Sequence, residues 1–183
     1  MRETTAERGF TLIELMMVVA IIAVLAIIVV PTFVGEARKA KGQAEVNAMF
    51  TAISTKQETY KNEFNSYLAL PMCPTTGPSV AGANIGKMIV DGDCDAAWVT
   101  ARVAAPESKM HCAYTVVVGA KGTTLTPPTG FKNSQGVAAA EPTLASGWWY
   151  ATAECDEDGQ GGTNAMYYES SVDTNIQVTN AAK

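Results

Sequence analysis

Residues 8–31, RGFTLIELMMVVAIIAVLAIIVVP, are almost entirely apolar and contain a single carboxylate, Glu14. Between residues 10 and 34 the polar residues are Thr11, Glu14 and Thr32, and a helix of this length crosses a hydrocarbon core of roughly 30 Å. A charge inside such a span costs on the order of 3 kcal/mol and usually marks a function or a pairing partner. Glu14 either reaches the membrane surface or, as we favour, meets a positive charge brought by another molecule.

The residues before this segment offer a source for that charge. The chain begins with the short polar stretch MRETTAERG and turns apolar at Phe10. The apolar run is not followed by the small-residue cleavage site of a secretory signal. A cut after Gly9 would give Phe10 a new α-amine. Within one chain this amine is poorly placed for Glu14, whereas staggered neighbouring chains would allow the pair to form.

The stretch GFTLIEL, residues 9–15, resembles the class III signal of type IV pilins and pseudopilins, and the chain looks most like a type IVa major pilin. The close resemblance covers about the first third of the chain, and Pro31 matches the proline usual in the family's N-terminal helix. It implies that a prepilin peptidase cleaves between Gly9 and Phe10 and that Phe10 is N-methylated. It also implies that Glu14 neutralises the Phe10 amine of an adjacent subunit, so that Phe10, Glu14 and Pro31 act in assembly.

Two features depart from the family's usual pattern. The charges of the leader sum to zero, whereas family leaders are often basic, and Ala23 stands where many members have glycine. Because alanine favours helix and proline disrupts it, any loosening of this helix is expected to depend mainly on Pro31. Basic residues also follow the span, at Arg38, Lys39 and Lys41. The family motif therefore decides the orientation, with the N-terminus in the cytoplasm.

The chain is long enough for the membrane span and one modest globular domain. We divide its 183 residues into a leader (1–9), a transmembrane or filament-core helix (10–34), an amphipathic helical half (35–68) and a globular domain (69–183). The net charge of -5 and the pI of about 4.9 argue against general nucleic-acid binding, which needs a basic face.

The second helical half carries an apolar stripe at three- and four-residue steps, and we expect it to end near Tyr67. The stripe comprises Val46, Met49, Phe50, Ile53, Tyr60 and Phe64. Charged residues fall largely outside it, at Lys39, Lys41, Glu45, Lys56, Glu58, Lys61 and Glu63. The stripe predicts a face on which a small domain packs. Gly42 is a weak point that would permit bending.

The remainder of the chain predicts an antiparallel sheet. Residues 71–95 are rich in proline and glycine and read as a long loop. Strands are expected at residues 112–120, 147–155 and 164–172, with a long connection between the first two. The predicted fold class is α+β, with a long N-terminal helix packed on a small antiparallel sheet. The pilin resemblance implies the same arrangement.

Four cysteines, Cys73, Cys94, Cys112 and Cys155, lie outside the apolar span. In an extracytoplasmic domain they indicate two disulfides, for which the sequence allows three pairings. Cys112 opens the first strand and Cys155 closes the second, so antiparallel pairing favours Cys112–Cys155 and leaves Cys73–Cys94. A zinc site is the rival interpretation, but the chain has no C-x-x-C pair and only one histidine, His111, expected at the surface or a sheet edge.

The acidic stretch after Cys155 partly matches a metal-binding loop. Asp156, Asp158, Gln160 and Gly161 match the start of an EF-hand loop, but Tyr167 stands at the position of its bidentate glutamate. A looser calcium site of Glu154, Asp156, Asp158 and Glu169 remains a weak candidate. We favour a solvated turn between strands, with no metal and no cofactor. No recognisable catalytic set appears, so an enzyme is not expected.

The expected function is that of a structural subunit. The resemblance implies a homo-oligomeric helical filament, built from a single-pass inner-membrane precursor by the pilus assembly machinery and displayed outside the cell. Such a filament would serve adhesion, twitching motility or DNA uptake, with no small-molecule substrate. A minor pilin or a type II secretion pseudopilin, which would be compatible with bound calcium, is the main alternative. A monomeric membrane-anchored binding module is a further alternative from a different class.

Overall fold

The computed structural model of the protein describes residues 9–79, 81–84, 94, 96–157, 159 and 164–180, without the side chains of residues 31, 32, 83 and 84. Its elements are α1 (Leu12–Phe64), β1 (Leu70–Cys73), β2 (Ala83–Asn84), α2 (Ala96–Ala101), β3 (Lys109–Met110), β4 (Cys112–Gly119), β5 (Trp148–Cys155), β6 (Ala165–Ser170) and β7 (Gln177–Thr179). The chain forms two compact units, Met1–Ala37 and Arg38–Lys183. The predicted α+β class is confirmed.

The first unit contains the apolar part of α1. Its large apolar side chains, from Phe10 to Val34, are all exposed. This part of the helix is long and apolar enough to cross a membrane, and none of that window is buried. The backbone is helical at residue 31. The expected role of the Pro31 side chain lies outside the described part of the chain.

In the second unit, residues 38–64 of α1 pack on the sheet through the predicted stripe. Val46, Met49, Phe50 and Ile53 are fully buried in the main core, as expected. The stripe prediction fails at its C-terminal end, where Phe64 is 59% exposed and instead stacks on Tyr60, with ring centroids 4.4 Å apart. The expectation that the charged residues avoid the stripe is wrong for one of them, because Glu45 is buried.

Helix α1 ends at Phe64, three residues before the predicted end. The next residue, Asn65, has a positive φ of 56° and donates its N–H to the Lys61 carbonyl at 2.7 Å. Asparagine tolerates this left-handed conformation better than most residues, which makes it a suitable helix terminator. The Gln57 side chain then holds the returning chain, because it exchanges hydrogen bonds with both the N–H and the carbonyl of Leu68.

The five-stranded sheet has the order β1-β4-β5-β6-β7, and all its pairs are antiparallel. The three predicted strands are confirmed as β4, β5 and β6. The prediction of an uninterrupted loop over residues 71–95 is wrong, because its first residues lie in β1 and residues 83–84 form β2. Residues 85–93, also in that predicted loop, lie outside the described residues. The edge strand β7 is not predicted from the sequence.

Both faces of the sheet are covered. Alternate residues of β5, such as Trp149 and Ala151, face the helix and join the main core. The intervening residues lie on the other face, where Trp148 and Tyr168 form a second cluster with Leu125 and Phe131. Leu125 and Phe131 belong to the predicted connection between β4 and β5, residues 121–146, which contains no helix or strand. This irregular segment therefore acts as the second covering layer.

Candidate functional site

The Glu14 carboxylate has a local partner at the start of α1. Its Oε2 accepts hydrogen bonds from the Thr11 N–H at 2.9 Å and from the Thr11 hydroxyl at 2.8 Å. The Glu14 N–H lies 3.3 Å from the same hydroxyl oxygen. This reciprocal arrangement is a capping box, in which the residue before the helix and the third helical residue satisfy each other's donors. Thr11 therefore begins the helix and orients Glu14.

Thr11 caps the helix, a role that the sequence analysis does not assign to it. Its signal is present as the T-x-x-E spacing just before an apolar run, a recognised helix-start pattern. Both donors from Thr11 reach the same carboxylate oxygen, so Glu14 Oε1 accepts no hydrogen bond from any described residue. Phe10, next to this box, is 92% exposed. The geometry leaves one oxygen of Glu14 available to a positive group outside the chain.

The structure contains two disulfides, Cys73–Cys94 and Cys112–Cys155, which are the pairs that the strand order favours. Their Cα atoms are 5.0 Å and 4.3 Å apart, respectively. Cys112 and Cys155 are directly opposite each other in the register of β4 and β5. The described residues include no free cysteine. The first disulfide links β1 to the segment before α2, and the second closes the end of the central strand pair.

A buried carboxylate, Glu45, connects α1 to the start of β4. It accepts hydrogen bonds from the backbone N–H groups of His111 and Cys112 at 2.9–3.0 Å, and from the Tyr114 hydroxyl at 3.1 Å. The His111 ring Nδ1 is also 3.0 Å from its Oε2. We call this set the Glu45 clamp. Burial, with the nearby Glu45 charge, holds the pKa of Tyr114 well above its usual range.

The clamp includes the only histidine in the chain, His111, which lies at the start of β4. Its side chain is 18% exposed and contacts Glu45, a partner that the sequence analysis does not predict. A second buried carboxylate, Glu157, accepts a hydrogen bond from the Tyr167 hydroxyl. Burial, followed by this hydrogen bond, raises the pKa of Tyr167. Both carboxylates lie beside the disulfide that joins β4 to β5.

Gly42 is part of the same region. It is buried, and a Cβ added there would lie 3.5 Å from Glu157 Oε1 and 3.8 Å from Cys155 Cβ. The glycine therefore packs against the end of β5 with room for an ordinary van der Waals contact, and its expected role as a point of bending stays a prediction. The sequence pattern could not show this contact, since Gly42 and Cys155 are far apart along the chain.

The comparisons with known proteins agree with the N-terminal geometry. Residues 4–30 match the family described as the prokaryotic N-terminal methylation motif. The type IV major pilin protein PilA of Myxococcus xanthus is 45% identical over 60 residues, covering 33% of this chain and 27% of that protein. Over its N-terminal part the chain is therefore similar to type IV pilins, and these matches support a place in the type IV pilin and pseudopilin family.

The chain is also similar to two further proteins. The type II secretion system core protein G of Escherichia coli is 37% identical over 91 residues, which cover 46% of this chain and 62% of that protein. This match and the Myxococcus xanthus match each span less than two thirds of the relative's own length. The type IV wide pilus major component PilA4 of Thermus thermophilus is 29% identical over 140 residues, covering 74% of this chain and 94% of PilA4. No solved structure matches the chain.

The weak calcium candidate is not assembled by the residues that the structure describes. Glu169 pairs with Ala151 and Glu154 pairs with Met166 in the register of β5 and β6, which places the two carboxylates on opposite faces of the sheet. Asp156 accepts the Gly159 N–H at 2.8 Å, as in an ordinary turn. Asp158 lies outside the described residues. Among those described, no three His, Cys, Asp or Glu residues are grouped to hold a metal.

Glu169 is instead a buried carboxyl group on the helix-facing side of β6. Burial, with a smaller contribution from the Asp173 charge, raises the pKa of Glu169 to about 7. The folded protein therefore binds a proton at this position that an unfolded chain would already have lost at neutral pH. This makes Glu169 a source of pH-dependent stability rather than a ligand.

Proposed function

We propose that this pilin-family chain is the major structural subunit of a type IV pilus filament. In this proposal a prepilin peptidase cleaves between Gly9 and Phe10, and Phe10 is N-methylated. Glu14 of one subunit then pairs with the Phe10 amine of its neighbour. The observation that carries the proposal is the Thr11–Glu14 capping box, which orients the carboxylate in an otherwise apolar, exposed segment while leaving Oε1 open.

The energetic logic follows from the apolar surroundings. A charge held in a low-dielectric environment is strongly unfavourable unless it is paired, so a Glu14 without a partner would resist burial in a filament core. Pairing with a neighbouring amine removes this penalty only at one axial offset between subunits. Burial of the exposed apolar side chains supplies the non-directional attraction, at about 0.8 kcal/mol for each buried CH₂. Glu14 thereby sets the register, and the apolar contacts supply the stability.

The segments of the chain have separate roles in this proposal. Residues 1–9 are the leader, residues 10–34 the membrane span and later filament core, residues 35–68 the amphipathic half and residues 69–183 the globular domain. The precursor crosses the inner membrane once, with its N-terminus in the cytoplasm, and the assembly machinery transfers it to a pilus on the cell surface. Pro31 would loosen the helix on assembly. The two disulfides of the second unit would resist shear on an exposed fibre.

The proposal of a major pilin is supported by the extent of the Thermus thermophilus match, which covers most of that pilus component. The filament would serve adhesion, twitching motility or DNA uptake. A type II secretion pseudopilin is the second candidate, favoured by the 37% identity to core protein G of Escherichia coli. A minor pilin would share the same assembly chemistry but would be scarce in the fibre. A monomeric anchored binding module would need neither cleavage nor pairing.

The first test is mass spectrometry of filaments sheared from cells. A fibre dominated by this subunit, beginning with methylated Phe10, supports the major-pilin proposal. A trace amount in the fibre would favour a minor pilin, and its absence a pseudopilin. A terminus at Met1 or Arg2 would contradict processing altogether.

The second test separates insertion from assembly. Glu14→Ala should leave membrane insertion and cleavage intact but abolish filaments, because the neighbouring amine loses its partner. Thr11→Ser keeps the capping hydroxyl and should assemble, whereas Thr11→Ala should assemble poorly because Glu14 is no longer oriented. Abundant normal filaments from Glu14→Ala would refute the pairing, whatever the behaviour of the Thr11 variants.

A further inference from the structure

A groove of about 380 Å³ in the second unit lies between the end of α1 and α2. Phe64 and Val99, one from each helix, line it and are 59% and 49% exposed. Tyr60 also lines it and stacks on Phe64. Two basic residues, Lys56 and Arg102, complete this surface, and neither forms an ion pair within the described part of the chain. We call it the α1–α2 groove.

The charges of the groove favour a partner that brings one carboxylate. Glu63 lines the groove together with Lys56 and Arg102, so these three side chains carry one net positive charge at neutral pH. The exposed aromatic and aliphatic side chains beside them favour an apolar group in the same partner. The groove is therefore complementary to a short segment in which an apolar residue stands next to an acidic one.

The turn between β6 and β7 has this chemistry, because Val172 is 39% exposed and Asp173 follows it. Outside the groove, Val172 is the only exposed large apolar residue in the described part of the second unit that adjoins an acidic residue. The Ser170 N–H donates to the Asp173 carbonyl at 3.0 Å, which holds the turn. Asp173 Oδ1 accepts two hydrogen bonds from Asn175, whereas Oδ2 accepts none from a described residue.

The groove and the turn lie at opposite edges of the five-stranded sheet. Helix α2 packs on the edge strand β1, where Trp98 Nε1 donates to the Pro71 carbonyl at 2.6 Å. The turn leads into β7 at the other edge, four strand spacings away, or roughly 19 Å. A short, hydrogen-bonded turn cannot cross this distance, so it does not reach the groove of its own chain.

Both surfaces lie at the same end of the sheet. The turn is joined to the start of β5, because the Ser171 N–H donates to the Trp149 carbonyl at 2.9 Å. The start of β5 in turn lies beside the chain that leaves α1, since a Cβ added to Gly147 would be 3.8 Å from the Tyr67 ring. A second copy placed edge to edge with the first can therefore bring its turn to the neighbouring groove.

We propose that the α1–α2 groove receives the β6–β7 turn of a second copy of the chain. Val172 of one copy packs against Phe64 and Val99 of the next, and Asp173 pairs with Arg102. Because the two surfaces differ, each copy offers one of each, and the contact repeats from copy to copy as in a helical filament. The inference rests on the filament of the proposed function, but not on how the N-terminal segments pair.

Cysteine crosslinking in sheared filaments tests which surfaces meet. Val99→Cys combined with Val172→Cys should give, after mild oxidation, a ladder of dimers and larger species on a non-reducing gel. Val99→Cys combined with Val137→Cys is the matched control and should give no ladder, because Val137 is a 54% exposed valine outside both surfaces. An equal ladder in the control, or no ladder in filaments that do form, would overturn the contact. Absence of filaments from wild type would overturn the proposed function and the contact with it.

Charge reversal tests the ion pair without new cysteines. Asp173→Arg and Arg102→Asp should each lower the yield of filaments about tenfold, because each places like charges across the contact. The two changes together should restore the yield to within about threefold of wild type. Aspartate suits position 102 because it tolerates the positive φ of 53° found there. Single variants that assemble like wild type, or a double variant as poor as the single ones, would refute the pairing.

Discussion

Replacement of Glu45 by alanine should unfold the second unit at markedly lower denaturant concentrations. The clamp residue accepts hydrogen bonds from two backbone N–H groups, those of His111 and Cys112, and from the Tyr114 hydroxyl. The substitution leaves these donors without an acceptor at the junction of helix and sheet, where Cys112 and Tyr114 are fully buried. An unsatisfied buried donor costs about 1–3 kcal/mol.

The three losses are not additive, because the site relaxes and admits some water. With three donors at about 1–3 kcal/mol each and partial relaxation, we expect Glu45→Ala to cost about 3–5 kcal/mol. For a chain of this size that corresponds to a fall in Tm of roughly 10 °C. Tyr114→Phe removes only one of the donors and keeps both backbone hydrogen bonds. It should cost about 1 kcal/mol, several-fold less than Glu45→Ala.

Urea unfolding of the mature protein in detergent, with the disulfides intact, measures these differences. Tryptophan fluorescence is a suitable signal, because Trp98 and Trp149 are fully buried in the second unit. Glu63→Ala, at an exposed position of the same helix, is the control and should change stability by less than about 0.5 kcal/mol. The reasoning assumes that the two backbone N–H hydrogen bonds supply most of the stability that Glu45 contributes. If Tyr114→Phe costs as much as Glu45→Ala, this assumption is refuted.

Three further predictions concern packed positions of the second unit. The folded pKa of Glu169, about 7, lies above its unfolded value, so wild-type stability should fall as pH rises from 5 to 8; Glu169→Gln should flatten this dependence in urea midpoints. Gly119→Ala should destabilise by about 1–3 kcal/mol, because its Cβ would overlap the ring of the tryptophan that begins β5, whereas Gly42→Ala should be neutral or stabilising in thermal melts. Replacing Cys112 and Cys155 by alanine should cost about 2–4 kcal/mol by calorimetry, and an unchanged Tm would contradict this.

Local patterns were sufficient for much of the fold. The buried stripe from Val46 to Ile53 follows helical periodicity, and β4, β5 and β6 follow from β-branched and aromatic runs. The prediction of burial was wrong at Phe64. Helical periodicity shows which side of the helix a side chain is on, but it does not show how far along the helix the sheet extends. Strands β1 and β7 are short edge strands whose pairing is supplied by β4 and β6, so their own residues carry little signal.

The sequence by itself determined the N-terminal methylation motif, the apolar segment with Glu14, and the α+β class, because each depends on residues close together along the chain. Only the tertiary structure decided that Glu45 is buried in a clamp and that Gly42 packs against β5. Glu45 and His111 are 66 residues apart, and a carboxylate on a helix reads as solvent-exposed until the backbone donors that surround it are known. The same holds for Glu169, which the sequence analysis grouped with the acidic stretch after Cys155 as a weak calcium candidate but whose position in the sheet makes it a buried acid.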